Sequence, residues 1–125
     1  MLAEINNLTK SFDNEIAVNS INFKVNSGEL LAILGPSGCG KSTLLQLIAG
    51  LEKPDCGNIK IDNKMVYSQE ENIFIPADKR KISLVFQNYA LWPHYNVFDN
   101  IAYPLKIKKV NRDTIKKMVR EILSL

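Results

Sequence analysis

In residues 20–28, SINFKVNSG, the apolar Ile21, Phe23 and Val25 alternate with polar residues and stop at Asn26-Ser27-Gly28. A period of two places those three side chains on one face of a strand, and the Asn-Ser-Gly cluster supplies a turn. AEINNL and EIAV, further upstream, carry a weaker form of the same pattern, so the first quarter of the chain predicts short strands. At residues 30–34 the alternation gives way to an unbroken apolar run, LLAIL. Such a run suits a strand covered on both faces, as in a parallel sheet.

Beyond a glycine-rich stretch the period changes again. Leu44, Leu45, Leu47, Ile48 and Leu51 share one helical face, and Gly50 stands near the expected end of that helix. The order strand, loop, helix follows. A turn at KPDCG, a strand at NIKID with Ile59 and Ile61 on one face, and a second turn near Asn63 come next. KISLVFQ, residues 81–87, reads as a core strand. NVFDNIAYPLK reads as a short helix, with Asn96 as N-cap, Asp99 in the first turn and Pro104 limiting its length. A last helix starts at Asn111 and repeats Ile115, Met118, Val119 and Ile122 at helical spacing. No internal repeat or low-complexity linker interrupts the series.

Composition adds little to this picture. The 125 residues, 46% hydrophobic and 23% charged, fit one modest soluble domain. No apolar run approaches the roughly 20 residues of a membrane span, and MLAEINNLTK lacks the features of a signal peptide, so a cytoplasmic location is expected. The two cysteines, Cys39 and Cys56, have neither metal-ligand spacing nor a disulfide framework and read as free thiols. The net charge of +3 gathers late, in residues such as Lys108, Lys109, Arg112, Lys116 and Lys117. That reads as the solvated face of a terminal helix; a nucleic-acid patch is the alternative, and no nucleic-acid partner is expected.

The chemistry lies in GPSGCGKS. Gly35, Gly40, Lys41 and Ser42 satisfy G-x-x-x-x-G-K-[ST], after a buried-strand pattern and before a helix. Glycines let backbone approach a phosphate without a Cβ in the way. The N–H groups of Ser37, Gly38, Cys39 and Gly40 can then face phosphate oxygens, aided by the positive end of the helix that starts near Lys41. Lys41 supplies a mobile positive charge for the β and γ phosphates, Ser42 a hydroxyl for Mg²⁺, and Thr43 a donor to the α phosphate. A purely structural glycine turn is the competing reading.

The surroundings narrow the choice. GPSGCGKSTLLQLIAGLEKPDCGNI followed by RKISLVFQNYALWPHYNVFDNIAYPLK resembles the nucleotide-binding subunits of ABC transporters, and VFQNYALWPHYNVFDNI resembles the importer branch serving sugars, polyamines or ferric iron. The resemblance implies an α/β fold: a P-loop NTPase core with an N-terminal antiparallel β subdomain. It implies ATP and Mg²⁺ as ligands. It places Phe12 where the family stacks an aromatic on adenine, with Val18 a second candidate for packing on the base; a core Phe in a hairpin is the other reading of Phe12. It makes Gln87 the Q-loop glutamine, which reaches Mg²⁺ and the attacking water. It makes Tyr89, Leu91 and Trp92 candidates for contact with a transmembrane permease subunit, since exposed aromatics often anchor interfaces.

Other family features have no counterpart in these residues. The Walker B segment, an apolar run ending in Asp-Glu, is not found: SLVFQ ends in an amide, and NVFD has only two apolar residues before its Asp. The signature motif and the switch histidine are also missing; His94 precedes the place where the signature would begin and reads as a surface-loop residue. The resemblance therefore implies that residues 1–125 are the N-terminal part of a single nucleotide-binding domain, incomplete in its sheet, with apolar edges left exposed. The implied parent is an ATP-hydrolysing importer subunit that pairs with a second nucleotide-binding subunit and sits at the inner face of the membrane through permease subunits. This chain alone is expected to bind Mg·ATP without efficient turnover. The alternatives are a non-hydrolysing adaptor that binds a membrane partner, or a small P-loop kinase using the Lys79-Arg80-Lys81 cluster as a lid.

Overall fold

The computed structural model describes residues 2–125, in two compact units, the first ending at Leu84 and the second spanning Val85–Leu125.

The first unit is built on a five-stranded antiparallel sheet in the order β2-β1-β3-β4-β5. Its strands are β1 (Ala3–Phe12), β2 (Glu15–Val25), β3 (Cys56–Ile61), β4 (Lys64–Ser68) and β5 (Ile73–Phe74). The hairpins are closed by short polar turns. Asp13 and Asn14, with φ of 45° and 71°, join β1 to β2, while Asp62 and Asn63, with φ of 48° and 61°, join β3 to β4. Two adjacent residues at positive φ match the right-handed twist of the strands, and Asp and Asn tolerate that conformation best after glycine. The expected alternation in β2 is observed, with Ile21, Phe23 and Val25 half-buried between exposed neighbours.

One face of this sheet carries α1 (Lys41–Ala49). Leu44 and Leu47 of α1 are buried with Ile5, Leu8, Val18, Ile59, Ile61, Val66 and Tyr67, forming the core of the unit. Leu45 and Leu51, expected on the same helical face, remain exposed. The helix ends at Gly50, whose left-handed conformation closes the C-terminus as the sequence predicts.

Arg80 ties the end of α1 to the sheet, a role its sequence does not announce. It is 4% exposed. Its Nη1 donates to the carbonyls of Leu47 (2.8 Å) and Ile48 (2.7 Å), Nε to that of Ile75 (2.6 Å) and Nη2 to that of Val66 (3.4 Å). The Phe74 ring centroid lies 5.6 Å from the guanidinium carbon. The last carbonyls of a helix have no partner within it, and a cation there complements the helix dipole. Burial pushes the guanidinium pKa down, yet arginine starts so far above neutrality that it stays charged.

Two expected strands do not form. Residues 30–34 and 81–87 are assigned no strand, and Leu30 and Leu34 are 96% and 89% exposed, with Val85 at 81%. A strand of a parallel sheet takes every ladder hydrogen bond from its neighbours. The sheet of the described residues is antiparallel throughout, and neither run pairs with it. β4 and β5, in turn, were not expected.

The second unit holds α2 (Val97–Ile107) and α3 (Arg112–Leu123). Both N-caps are those the sequence predicts: Asn96 accepts from the Asp99 N–H (2.8 Å) and Asn111 from the Thr114 N–H (2.9 Å). Pro104 does not end α2 but lies inside it. Ala102, Ile115 and Val119 are the buried centre, while Met118 and Ile122 face outward. The Lys106 ammonium hydrogen-bonds Asp99 and holds its carboxyl below the usual range.

The Arg80 clamp yields a stability prediction. Arg80→Met keeps the aliphatic stem but strands the buried carbonyls, and should cost about 2–4 kcal/mol. Urea unfolding should show a lower midpoint at an unchanged m-value; an unchanged midpoint would remove the clamp from this account.

Candidate nucleotide site

The glycine-rich segment forms a tight loop that ends at the first residue of α1. Gly40 is the N-cap, with φ of 90° and no side chain to cap the helix. The first N–H groups of α1 are thus left without a side-chain acceptor, the arrangement that binds anions at helix N-termini. The loop also lies directly on β2. A Cβ built on Gly40 would stand 2.0 Å from the carbonyl oxygen of Ala17 and 3.7 Å from Cγ2 of Val18. Only glycine satisfies both the positive φ and this approach.

Lys41 turns back across the loop. Its Nζ donates to the carbonyls of Gly35 (2.8 Å) and Pro36 (2.6 Å) and lies 3.5 Å from Sγ of Cys39. None of the ion pairs among the described residues involves Lys41. Its charge is therefore held inside the loop by neutral acceptors, which an anion can displace. Ser37, Gly38, Cys39 and Ser42 are exposed around it, and Thr43 is half-buried. A cavity of about 400 Å³ beside the loop is lined by residues including Ala17, Val18, Ile33, Cys39, Gly40 and Lys41.

The two residues expected to meet a base differ in exposure. Val18 is 4% exposed and belongs to the core under α1, so it can offer only an edge. Phe12, the last residue of β1, is 44% exposed. The Lys10 ammonium lies 5.0 Å from its ring centroid.

Gln87, Tyr89, Leu91 and Trp92 belong to the second unit. Gln87 is exposed in irregular backbone, and Tyr89 and Ala90 follow at φ of 57° and 49°. Tyr89, Leu91 and Trp92 are all exposed. The loop is organised by Asn100 of α2. Its Oδ1 accepts from the Trp92 N–H (2.8 Å), and its Nδ2 donates to the carbonyls of Trp92 (3.2 Å), Tyr95 (3.1 Å) and Asn96 (3.0 Å). Trp92 packs against Tyr103 with centroids 5.6 Å apart, and His94 meets Tyr95 edge-on at 4.4 Å. Neither Asn100 nor Tyr103 stood out in the sequence. Asn100 lies in the first turns of a helix, where asparagine is a poor helix former, and that mismatch was the available signal.

Among the described residues no group of three or more His, Cys, Asp and Glu could hold a metal ion. The Ser42 hydroxyl in the first turn of α1, beside the glycine loop, instead suits Mg²⁺, which keeps several waters and needs few protein ligands.

A glycine cradle at the N-terminus of a helix, with a lysine folded into it and an antiparallel sheet alongside, defines a P-loop nucleotide-binding fold. Comparison with known proteins narrows the class. The family model described as ABC transporter matches residues 18–124, and the chain belongs to that family. It is 50% identical over 116 residues to the trehalose/maltose import ATP-binding protein MalK of Thermococcus litoralis, covering 93% of this chain and 31% of the relative. It is 44% identical over 121 residues to the spermidine/putrescine import ATP-binding protein PotA of Thermotoga maritima, covering 97% of this chain and 31% of the relative. Among solved structures, a dimeric bacterial ABC transporter cassette superposes with a TM-score of 0.80 at 32% identity, covering 98% of this chain and 56% of that one. The cbiO1 protein of Clostridium perfringens, part of the cbiONQ ABC transporter complex, superposes with a TM-score of 0.76 at 31% identity, covering 98% of this chain and 49% of that one. The chain thus spans about a third of the length of these curated relatives (31%).

The contrast between two glycines tests the loop geometry. Gly38 also has positive φ, 81°, but a Cβ there meets nothing within 4 Å. Gly38→Ala should cost only the left-handed strain, about 1–2 kcal/mol. Gly40→Ala adds the clash with Ala17 and should cost about 2–5 kcal/mol. Equal costs in denaturant unfolding would contradict the close approach of the loop to β2.

Proposed function

We propose that this chain is the nucleotide-gripping part of an ABC importer's motor subunit, which binds Mg·ATP and, in the whole protein, couples its hydrolysis to transport. The observation that carries the reading is Lys41, whose ammonium is poised inside a loop that only Gly40 allows to form. On phosphate binding, Lys41 exchanges neutral carbonyls for charged oxygens, and charge-assisted bonds are about twice as strong as neutral ones. The backbone N–H groups of Ser37, Gly38, Cys39 and Gly40 surround the β phosphate, and Thr43 donates to the α phosphate. The Ser42 hydroxyl would hold Mg²⁺, which would supply neutralising charge to the bound phosphates. Phe12 offers a π face to adenine, with Val18 at its edge. Gln87 is the Q-loop glutamine of this reading, the residue that would position Mg²⁺ and the attacking water.

Turnover needs a general base, and within these 125 residues no apolar run ends in the Asp-Glu pair that the family uses. The chain alone therefore grips without cleaving. Tyr89, Leu91 and Trp92, set by Asn100, form the surface for a transmembrane permease subunit, and a second nucleotide-binding subunit completes the hydrolytic site. No helix of the described residues is long and apolar enough to cross a membrane. The proposed place is peripheral, at the inner face of the membrane through those permease subunits. The kinase alternative loses its lid: Arg80 is buried among carbonyls and cannot reach a phosphate.

Saturation with Mg·ATP at about 100 times Kd should raise the unfolding free energy by about 2.7 kcal/mol, without phosphate release. Lys41→Ala should weaken binding roughly 10- to 100-fold in a Mg·ATP titration. Substantial turnover by the pure chain would overturn the grip-only reading, and equal affinity for both proteins would remove Lys41 from it.

A further inference from the structure

Phe12 ends β1 at a hairpin tip, where an exposed aromatic ring has little to fix its rotamer. Lys10 supplies what the tip lacks. Its ammonium bridges Glu52 Oε1 at 3.3 Å and Asp55 Oδ1 at 3.2 Å, and its side chain is only 13% exposed. The same ammonium lies 5.0 Å from the Phe12 centroid. Asp55 is itself fixed to the strand on both sides of Lys10. Its Oδ2 accepts from the Ser11 N–H at 2.7 Å, and its own N–H donates to the Thr9 carbonyl at 2.9 Å.

We propose that Lys10 is a positioning residue for the base platform: locked by Glu52 and Asp55, it holds one face of the Phe12 ring and leaves the other face to a nucleotide base. This rests on the ATP-binding reading above and deepens it. A cation is attracted to a π face, and stacking of a base needs only the opposite face. With the ring already fixed, less ordering remains to be done when the base arrives. Burial by itself would lower the Lys10 pKa, but the hydrogen bonds of Asp55 and Glu52 reverse the shift and raise it. The charge is thus permanently present and already engaged by two carboxylates, so it is unavailable to the phosphates. Lys10 acts on the base alone.

That separation sets the test. Mg·ATP and Mg·tripolyphosphate, which has no base, are titrated into the full chain and into Lys10→Met, Lys10→Arg, Phe12→Ala and the Lys10→Met/Phe12→Ala pair. The unaltered chain should prefer ATP. Lys10→Met should weaken ATP about 3- to 10-fold and leave tripolyphosphate unchanged. Lys10→Arg should restore the preference, and Lys10→Met should have no further effect on top of Phe12→Ala. The unchanged tripolyphosphate affinity also reports that the variant is folded. If Lys10→Met weakens both ligands equally, or neither, the positioning role is wrong. If the unaltered chain shows no preference for ATP, or Phe12→Ala leaves a preference intact, the nucleotide reading beneath it fails instead.

Discussion

The first N–H groups of α1 have no acceptor in their own helix, and Gly40 brings no side chain to cap them. Leaving donors open is a cost that ordinary helices avoid, as α2 and α3 do with Asn96 and Asn111. Here the open end is kept by the close passage of Gly40 over Ala17, which fixes the loop on β2 and faces it away from the core. At the other end of α1, Arg80 holds the last carbonyls against the sheet. The helix is thus fastened where it can be and left unsatisfied where a ligand can satisfy it. Open polar groups are placed at the loop, and the apolar burial of Leu44 and Leu47 beneath it keeps that loop in place.

Much of the site was legible because its constraints are local. The spacing of Gly35, Gly40, Lys41 and Ser42 encodes the loop, and the period of Ile21, Phe23 and Val25 encodes β2. The Asn96 and Asn111 caps were readable for the same reason: each bonds a backbone group three residues away. The features not legible in the sequence act at long range. Arg80 looked like one of three basic residues in a row, and nothing nearby in sequence says that its acceptors are at 47, 48, 66 and 75. Lys10 likewise finds its carboxylates only after β1 has folded beside the segment leading into β3.

The expected strands at 30–34 and 81–87 failed for a related reason. An apolar run states that both faces want cover, but says nothing about whether neighbours are available to pair with it. The sheet of the described residues takes its partners from β1 to β5, and Leu30, Leu34 and Val85 stay exposed. Pro104 shows the reverse case. Its missing N–H and the clash of its ring with the preceding turn predict an end, yet α2 continues through it to Ile107, and the packing around Ala102 offsets the lost backbone bond.

The central claim is that an anion enters the open end of α1 and that Lys41 turns to meet it. Backbone amide resonances of the isotope-labelled chain, followed by NMR as Mg·ATP is added, test this most directly. The account predicts shifts that saturate together at Ser37, Gly38, Cys39, Gly40 and Lys41, with Phe12 following the same curve. Shifts confined to other residues, or none at saturating nucleotide, would contradict it.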